Sequence, residues 1–402
     1  MKNFYFLGNF FPHESESEIV KKSIGFVQNA ANVLQWKIIS GLEQNIETCL
    51  NLVTACSIGS FPKHYRDLFM PSLFFSHSER AKGKQIGFLN LAVIKQYFYH
   101  FSYKRYIQKS MQFNDNDVVI AYSAKLVDEL LLVKRKNPRT RTCLIIPDLP
   151  HLTSLDNNNK LLHLYKDYES KKLIKAIRSK SIDVSVVLTK QMAEYLSAPK
   201  ERFAVLDGIC NDIVNLDYRY FNSKKNKTIL YTGTLAIKYG ILGLIDEFKK
   251  LKGDYRLVIC GGGDECDVVE RKCKDDPRID FKGLVSHSEA LALQKEADIL
   301  VNPRKNDYEF TKYSFPSKLL EYLSTGKPVV CYKLDGVGSE YDDIFFYAEE
   351  KEGGLAEAIY KVSKMSQDEY SKYIHTLSDF LKKKTAQAQC KKIICLLESV
   401  GE

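Results

Sequence analysis

The sequence lacks any run of about 18 or more apolar residues, which excludes a helix that spans a bilayer. It has no Cys-x-x-C pair and no Cys/His cluster, so nothing in it reads as a zinc site. No internal repeat and no low-complexity tract is present. The ten cysteines are scattered, and several sit inside apolar runs such as Leu257-Val-Ile-Cys260 and Val329-Val-Cys331, where a reduced thiol behaves as a small hydrophobe. A disulfide framework is not expected at this size, and the chain reads as one kept in a reducing cytoplasm. Its start, Met1 to Pro12, is apolar for too short a stretch to act as a signal peptide, and Glu14, Glu16 and Glu18 follow at once.

What is present is an ordinary globular balance of 45% apolar and 27% charged residues in 402. That length exceeds what one core organises, so two domains of about 200 residues are expected. The charge is uneven. Residues 1–210 carry 29 lysines and arginines against 19 aspartates and glutamates, whereas residues 211–402 carry 30 against 31. A basic half suits nucleic acid, an anionic membrane or a phosphorylated substrate; it is equally the surface of a soluble basic domain.

In the second half, strands are expected at Ile229–Thr232, Tyr255–Cys260, Ile279–Lys282, Asp298–Asn302 and Pro328–Tyr332. Helices are expected between them, over Ile241–Lys252, Glu265–Lys274, Ser286–Glu296 and Ser317–Ser324. Strands followed by helices at this spacing imply an α/β fold with a parallel sheet covered on both faces. The first half repeats the theme with strands at Asn3–Leu7, Lys37–Ser40, Leu52–Cys56, Val118–Ala121, Cys143–Pro147, Val184–Leu188 and Phe203–Leu206. Helices are expected over Glu16–Val33, Leu89–Lys109, Lys125–Lys136, Lys160–Lys180 and Lys190–Leu196. The expected organisation is two doubly wound domains, 1–210 and 211–385, joined by a polar link near Asp207–Asn226. The last forty or so residues read as helical, with 386–402 crossing back to the first domain.

Open parallel sheets bind ligands where strands run into helices. Four such loops in the second half carry candidate residues. Tyr231-Thr-Gly233-Thr234 is followed by Lys238-Tyr239-Gly240 and a helix; Gly233 lets a ligand approach the backbone, or the loop is a plain turn. Cys260-Gly261-Gly262-Gly263 leaves the chain bare after a strand, as many glycine turns do. Arg304 ends the strand that closes with Asn302 and suits a phosphate, a sugar hydroxyl or a salt bridge within its own loop. In the fourth loop, Ser314-Phe315-Pro316-Ser317-Lys318-Leu-Leu-Glu321-Tyr322, Ser317 reads as the N-cap, with Lys318 in the first turn and Glu321 on the same face. A phosphate there gains the helix N-terminus and the Lys318 charge together. Glu321 is placed to accept from the two hydroxyls of a ribose. Taken alone, the segment is a capped helix with a Lys–Glu pair.

The runs Tyr231-Thr-Gly-Thr…Tyr239-Gly240 and Asn302-Pro-Arg304…Glu309-Phe-Thr-Lys-Tyr-Ser-Phe-Pro-Ser-Lys318-Leu-Leu-Glu321-Tyr resemble the donor site of retaining glycosyltransferases of the GT-B fold. The likeness is to the large glycosyltransferase family 4 type, and within it to bacterial capsule and exopolysaccharide transferases. It covers about residues 229–335. The resemblance implies two Rossmann-like domains facing across a cleft, the second holding a nucleotide-diphosphate sugar. It implies that Lys318 meets the diphosphate, Glu321 the ribose, Gly233 and Thr234 the phosphates, and the backbone of Ser314 and Phe315 the transferred sugar. The family's commoner pattern has a first Glu where this chain has Tyr313. It also has Arg directly after the loop glycine, where Thr234 stands, and Lys at Tyr239, with Lys238 one place early. The phosphate charge therefore falls to Lys318 and Arg304.

The first half is expected to supply the acceptor side, with Gly8 facing the donor and Asp148, then His151, nearest the reacting sugar. A turn-forming Asp in Pro147-Asp-Leu-Pro150 is the alternative. The stretch Lys95 to Lys109 mixes aromatics with bases, which suits an anionic bilayer beside a lipid-linked acceptor, or a buried aromatic helix face. The same mix suits single-stranded nucleic acid, but no nucleic-acid motif accompanies it. The expected activity is hexosyl transfer to a hydroxyl of a growing surface polysaccharide, on the cytoplasmic face of the plasma membrane. Catalysis is assigned to Lys318, Asp148 and Arg304; the other donor contacts expected are Lys238 and Gly262. No cofactor is expected, and no metal, since no Asp-x-Asp stands at a strand end. A sugar-nucleotide epimerase, a non-catalytic nucleotide-sugar-binding subunit and a nucleic-acid-binding module, the last suggested only by the basic half, are the alternatives.

Overall fold

A computed structural model of the chain describes residues 2–25, 29–152, 160–210, 216 and 226–400. The chain forms two compact units, Met1–Ile209 with Ala386–Glu402, and Cys210–Thr385. Most of the polar link lies outside the described residues.

The first unit contains β1 (Phe4–Gly8), α1 (His13–Lys22), α2 (Asn29–Glu43), β2 (Leu50–Thr54), β3 (Phe69–Met70), β4 (Leu73–Ser76), β5 (Ala81–Gln85), β6 (Phe88–Leu89) and α3 (Lys95–Ser110). It continues through β7 (Val118–Tyr122), α4 (Val127–Lys136), β8 (Arg141–Ile146), α5 (Lys160–Arg178), β9 (Val184–Val187), α6 (Lys190–Tyr195) and β10 (Phe203–Val205). The sheet order is β10-β9-β8-β7-β1-β2-β5-β4, parallel throughout except for β4, which pairs antiparallel with β5. The chain leaves β1 toward β2 and returns on the other side at β7. That reversal is the switch point at which such sheets hold ligands.

Three local expectations are corrected. Lys37–Ser40 is not a strand but lies inside α2. Buried Asn32, Gln35, Ile38, Ile39 and Leu42 form a helical stripe there, and a four-residue segment with two adjacent isoleucines could not reveal that period. The helix expected over Glu16–Val33 is two helices, α1 and α2. The helix expected from Leu89 starts at Lys95, because Phe88 and Leu89 pair with Met70 and Phe69.

The second unit contains β11 (Lys227–Thr232), α7 (Ile241–Lys249), β12 (Tyr255–Cys260), α8 (Cys266–Lys274), β13 (Ile279–Gly283), α9 (His287–Glu296) and β14 (Ile299–Asn302). After them come α10 (Ser317–Leu323), β15 (Val329–Tyr332), β16 (Phe346–Ala348), α11 (Gly354–Ser363) and α12 (Gln367–Lys383). Its sheet, β13-β12-β11-β14-β15-β16, is wholly parallel. The switch point falls between β11 and β14. Helix α7 shows why the layers hold. Ile241, Leu244, Ile245 and Phe248 recur at helical spacing and are fully buried, each contributing about 1.5–3 kcal/mol.

A capping box of Ser366 and Glu369 opens α12, whose Tyr373 hydroxyl donates to the Lys327 carbonyl at 3.0 Å in the second unit. The next helix, α13 (Ala386–Ser399), belongs to the first unit. There Cys390 Sγ lies 3.3 Å from the Ile38 carbonyl, and Ile393 and Leu397 join the core under the sheet. Among the described residues, no helix is long and apolar enough to cross a membrane.

Candidate functional site

The carboxyl ends of β11, β12 and β14 bring three of the expected loops together. Gly233 N–H donates to the Cys260 carbonyl at 3.0 Å, and Leu235 N–H donates to the Gly262 carbonyl at 3.0 Å. The Tyr231 hydroxyl donates to the Thr234 carbonyl at 2.8 Å and holds the loop's shape. At Gly261 a Cβ would stand 1.8 Å from the Gly233 carbonyl, so that glycine is needed for the loops to touch. Gly262 meets nothing nearer than Leu284, at 3.7 Å, and packing does not require it. Gly240, at φ +78°, ends the β11 loop and would place a Cβ 2.2 Å from the Pro303 carbonyl. The loops that flank the switch point thus interlock. Lys238 sits in the short turn before Gly240, its Nζ 5.9 Å from the centre of the Tyr239 ring.

Arg304 follows β14 into this place. It is only 5% exposed, yet among the described residues no carboxylate pairs with its guanidinium. Nη2 donates to Ser314 Oγ at 2.6 Å, and the group lies 4.5 Å from the Phe310 ring and 5.7 Å from the Tyr239 ring. Its Nε is buried without a partner. Burial lowers the guanidinium from its ordinary 12.5 to about 10. A buried cation ordinarily has an anion beside it, and this one is held by a hydroxyl and two rings.

Lys318 and Glu321 meet as their spacing predicts, Nζ to Oε1 at 2.7 Å. The pair is not a simple surface bridge, because buried Gln294 of α9 also donates from Nε2 to that Oε1, at 2.7 Å. The same Nε2 donates to Thr232 Oγ1 at 3.0 Å. Thr232 N–H donates to the Tyr322 hydroxyl at 2.7 Å, and that hydroxyl donates back to the Thr232 carbonyl at 3.0 Å. Helix α10 is therefore fastened to the end of β11. Both bonds to Glu321 use Oε1, which leaves Oε2 for a ligand among the described residues. Phe315 is buried, 5.3 Å from the Tyr341 ring, so its side chain serves the core and only its backbone can reach a sugar. Ser317 is not the N-cap. Pro316 takes that place and no side chain caps the helix, because Ser317 already has helical geometry.

In the first unit, Gly8 ends β1 where a Cβ would stand 2.6 Å from Gln35 Oε1 and 2.7 Å from the Phe10 ring, so its small size is explained by packing. Asp148 follows β8 and is solvent-accessible; the chain around it raises its carboxyl, an effect that Lys125 opposes. His151 stacks on Tyr195, with ring centroids 4.8 Å apart. Helix α3 has a buried aromatic face, as one reading of its sequence expected. It buries Tyr99, Tyr103 and Ile107, and exposes Tyr97, Phe101 and Arg105, beside Val93 at 94% exposure. Sequence reasoning missed Gln294, Thr232 and Tyr322. The available signal for Gln294 was a glutamine one turn after Ala290 on the buried face of α9.

Residues 226–364 match the family described as glycosyl transferases group 1. No curated protein matches the chain. Among solved structures, an α,α-trehalose-phosphate synthase (UDP-forming) from Burkholderia vietnamiensis matches with a TM-score of 0.68 at 10% identity, over 100% of this chain and 99% of that one. The apo form of the lipopolysaccharide outer core galactosyltransferase WaaB matches at 0.62 and 15%, over 99% of each chain. A trehalose-6-phosphate protein from E. coli bound with UDP-2-fluoro glucose matches at 0.65 and 10%, over 98% and 99%. At these identities the likeness is one of fold, the GT-B fold of two Rossmann-like units.

Proposed function

We propose that this chain, a glycosyltransferase with a group 1 domain on the GT-B fold, moves a hexosyl unit from a nucleotide-diphosphate sugar to an acceptor hydroxyl. The observation that supports a diphosphate donor is Arg304, a buried guanidinium that no carboxylate pairs with among the described residues, beside the interlocked β11 and β14 loops. Lys318 neutralises the diphosphate from the first turn of α10. That helix has only seven residues, so the side-chain charge matters more than the helix dipole. Glu321, steadied by Gln294, takes the ribose hydroxyls. Gly233 and Thr234 lie along the phosphates, and Lys238 and Gly262 border them.

In the proposed reaction the bond between the anomeric carbon and the phosphate oxygen breaks, and its electron pair leaves on the diphosphate. Lys318 and Arg304 stabilise that charge as it grows, with no metal assigned a part. The acceptor oxygen bonds to the anomeric carbon on the face the diphosphate left, and the leaving phosphate takes the acceptor proton. Configuration is retained. The first unit supplies the acceptor contacts, Asp148 among them. The acceptor is a lipid-linked surface polysaccharide at the inner face of the plasma membrane, a reading supported by the exposed Val93, Tyr97 and Phe101 beside Arg105 on and before α3.

The test is calorimetry with uridine, guanosine and adenosine diphosphates. One of them is expected to bind wild type, and Lys318→Ala to weaken that binding about tenfold or more without lowering the melting temperature. Equal affinity in the variant refutes the donor site.

A further inference from the structure

We propose that Gln294 is a positioning residue for the donor's ribose: its side-chain amide holds Glu321 in place while Lys318 turns to the diphosphate, and so sets a preference for ribonucleotides. The inference rests on the donor reading above and deepens it.

Gln294 comes from α9, outside the loops that carry the other donor residues. Ala290 and Gln294, one turn apart, are the buried positions of that helix, and Gln294 is buried completely. Glutamine is an uncommon choice there, because burial strips its hydration and freezes a long side chain. Both amide hydrogens are used, one on Glu321 Oε1 at 2.7 Å and one on Thr232 Oγ1 at 3.0 Å. The amide cannot be turned over, since its oxygen would then face the Glu321 oxygen, acceptor against acceptor. In the orientation that serves Glu321, Gln294 Oε1 is buried and has no partner among the described residues.

A buried acceptor without a donor destabilises the fold, and an apolar side chain of the same shape would not carry that cost. The benefit of the amide falls instead on Glu321. Lys318 Nζ shares the same Oε1 at 2.7 Å, and its side chain is 36% exposed against 17% for Glu321. A flexible ammonium is drawn from a single carboxylate to a diphosphate of larger charge. Glu321 then loses its cation, and Gln294 keeps Oε1 occupied, so that Oε2 faces the ribose. Gln294 is itself pinned by Thr232, whose N–H donates at 2.7 Å to the hydroxyl of Tyr322, the residue after Glu321. The contacts close into a ring through α10, which fixes the carboxylate from its backbone and from its tip.

Uridine, guanosine and adenosine diphosphates and their 2′-deoxy counterparts, titrated by calorimetry, are the probes. Wild type is compared with Gln294→Met, which keeps the volume and removes the amide. Wild type is expected to prefer the ribonucleotide of the pair it binds by about tenfold. In Gln294→Met that ratio should fall to about twofold or less, with the 2′-deoxy nucleotide within about twofold of its wild-type affinity. The melting temperature should equal or exceed that of wild type, since the unpartnered oxygen is gone. A ratio that stays near tenfold in the variant overturns the proposal, because a merely structural amide would weaken both nucleotides alike. Should Gln294→Met not fold, Gln294→Asn, whose amide ends one methylene short of Glu321, carries the same measurement with the same expected fall. No preference in wild type itself removes Glu321 from the ribose and overturns the donor reading together with this proposal. A wild-type preference that survives in the variants removes Gln294 alone.

Discussion

Replacing Arg304 by Met separates a ligand-binding cation from a structural one, because the two roles predict opposite signs. The substitution keeps the volume and removes the charge. In the folded chain the guanidinium is lowered from 12.5 to about 10, a penalty on the order of 3 kcal/mol carried at neutral pH. The sign follows from the lowered value: a base harder to protonate when folded destabilises the fold while charged, and relief comes only as pH rises through about 10. Against that penalty stand one bond to Ser314, about 1–2 kcal/mol, and two ring contacts of about 0.5–1 kcal/mol each. The terms nearly cancel. Arg304→Met should therefore leave the denaturation midpoint within about 1 kcal/mol of wild type, or raise it slightly. Binding behaves otherwise: a charge-assisted bond to phosphate contributes about 1.5–3 kcal/mol, so nucleoside diphosphate affinity should fall about 10- to 150-fold. Urea denaturation and calorimetry on the same preparations give both numbers. A variant destabilised by about 3 kcal/mol with unchanged affinity would refute the reasoning and make Arg304 a structural residue.

Two further substitutions probe the geometry. Gly240→Ala puts a methyl group 2.2 Å from the Pro303 carbonyl at φ +78°, so a loss of about 2 kcal/mol or more is expected in thermal unfolding, with weaker nucleotide binding; an unchanged melting curve would show that the loops do not interlock. Glu321→Ala should abolish a preference for ribose over 2′-deoxyribose nucleotides of about tenfold in wild type, and equal binding of the two by wild type itself would remove Glu321 from the ribose.

The second unit was legible because its signals are local. Strands such as Tyr255–Cys260 end in an apolar run, Leu257 to Cys260, closed by Gly261, and helices such as α7 carry their stripe within two turns. The first unit was read less well where locality fails. Lys37–Ser40 holds two adjacent isoleucines that suit either structure, and contact with α13, some 350 residues away, buries Ile38 and Ile39 as a helix face. The short β3, β4 and β6 carry too few residues to show a period.

By itself the sequence determined the order of strands and helices in residues 227–332, and the i,i+3 spacing that sets Lys318 against Glu321. Both follow from periods of a few residues that backbone geometry imposes. Only the tertiary structure decided which polar groups have partners. Among the described residues it placed no carboxylate on Arg304, gave Gln294 to Glu321 across 27 residues, and set the Lys95 ammonium on the Ile58 carbonyl. The physical reason is that a charge's partner is chosen by the packing of distant segments, which no local pattern encodes. Arg304, which no carboxylate pairs with among the described residues, is the one on which the donor proposal rests.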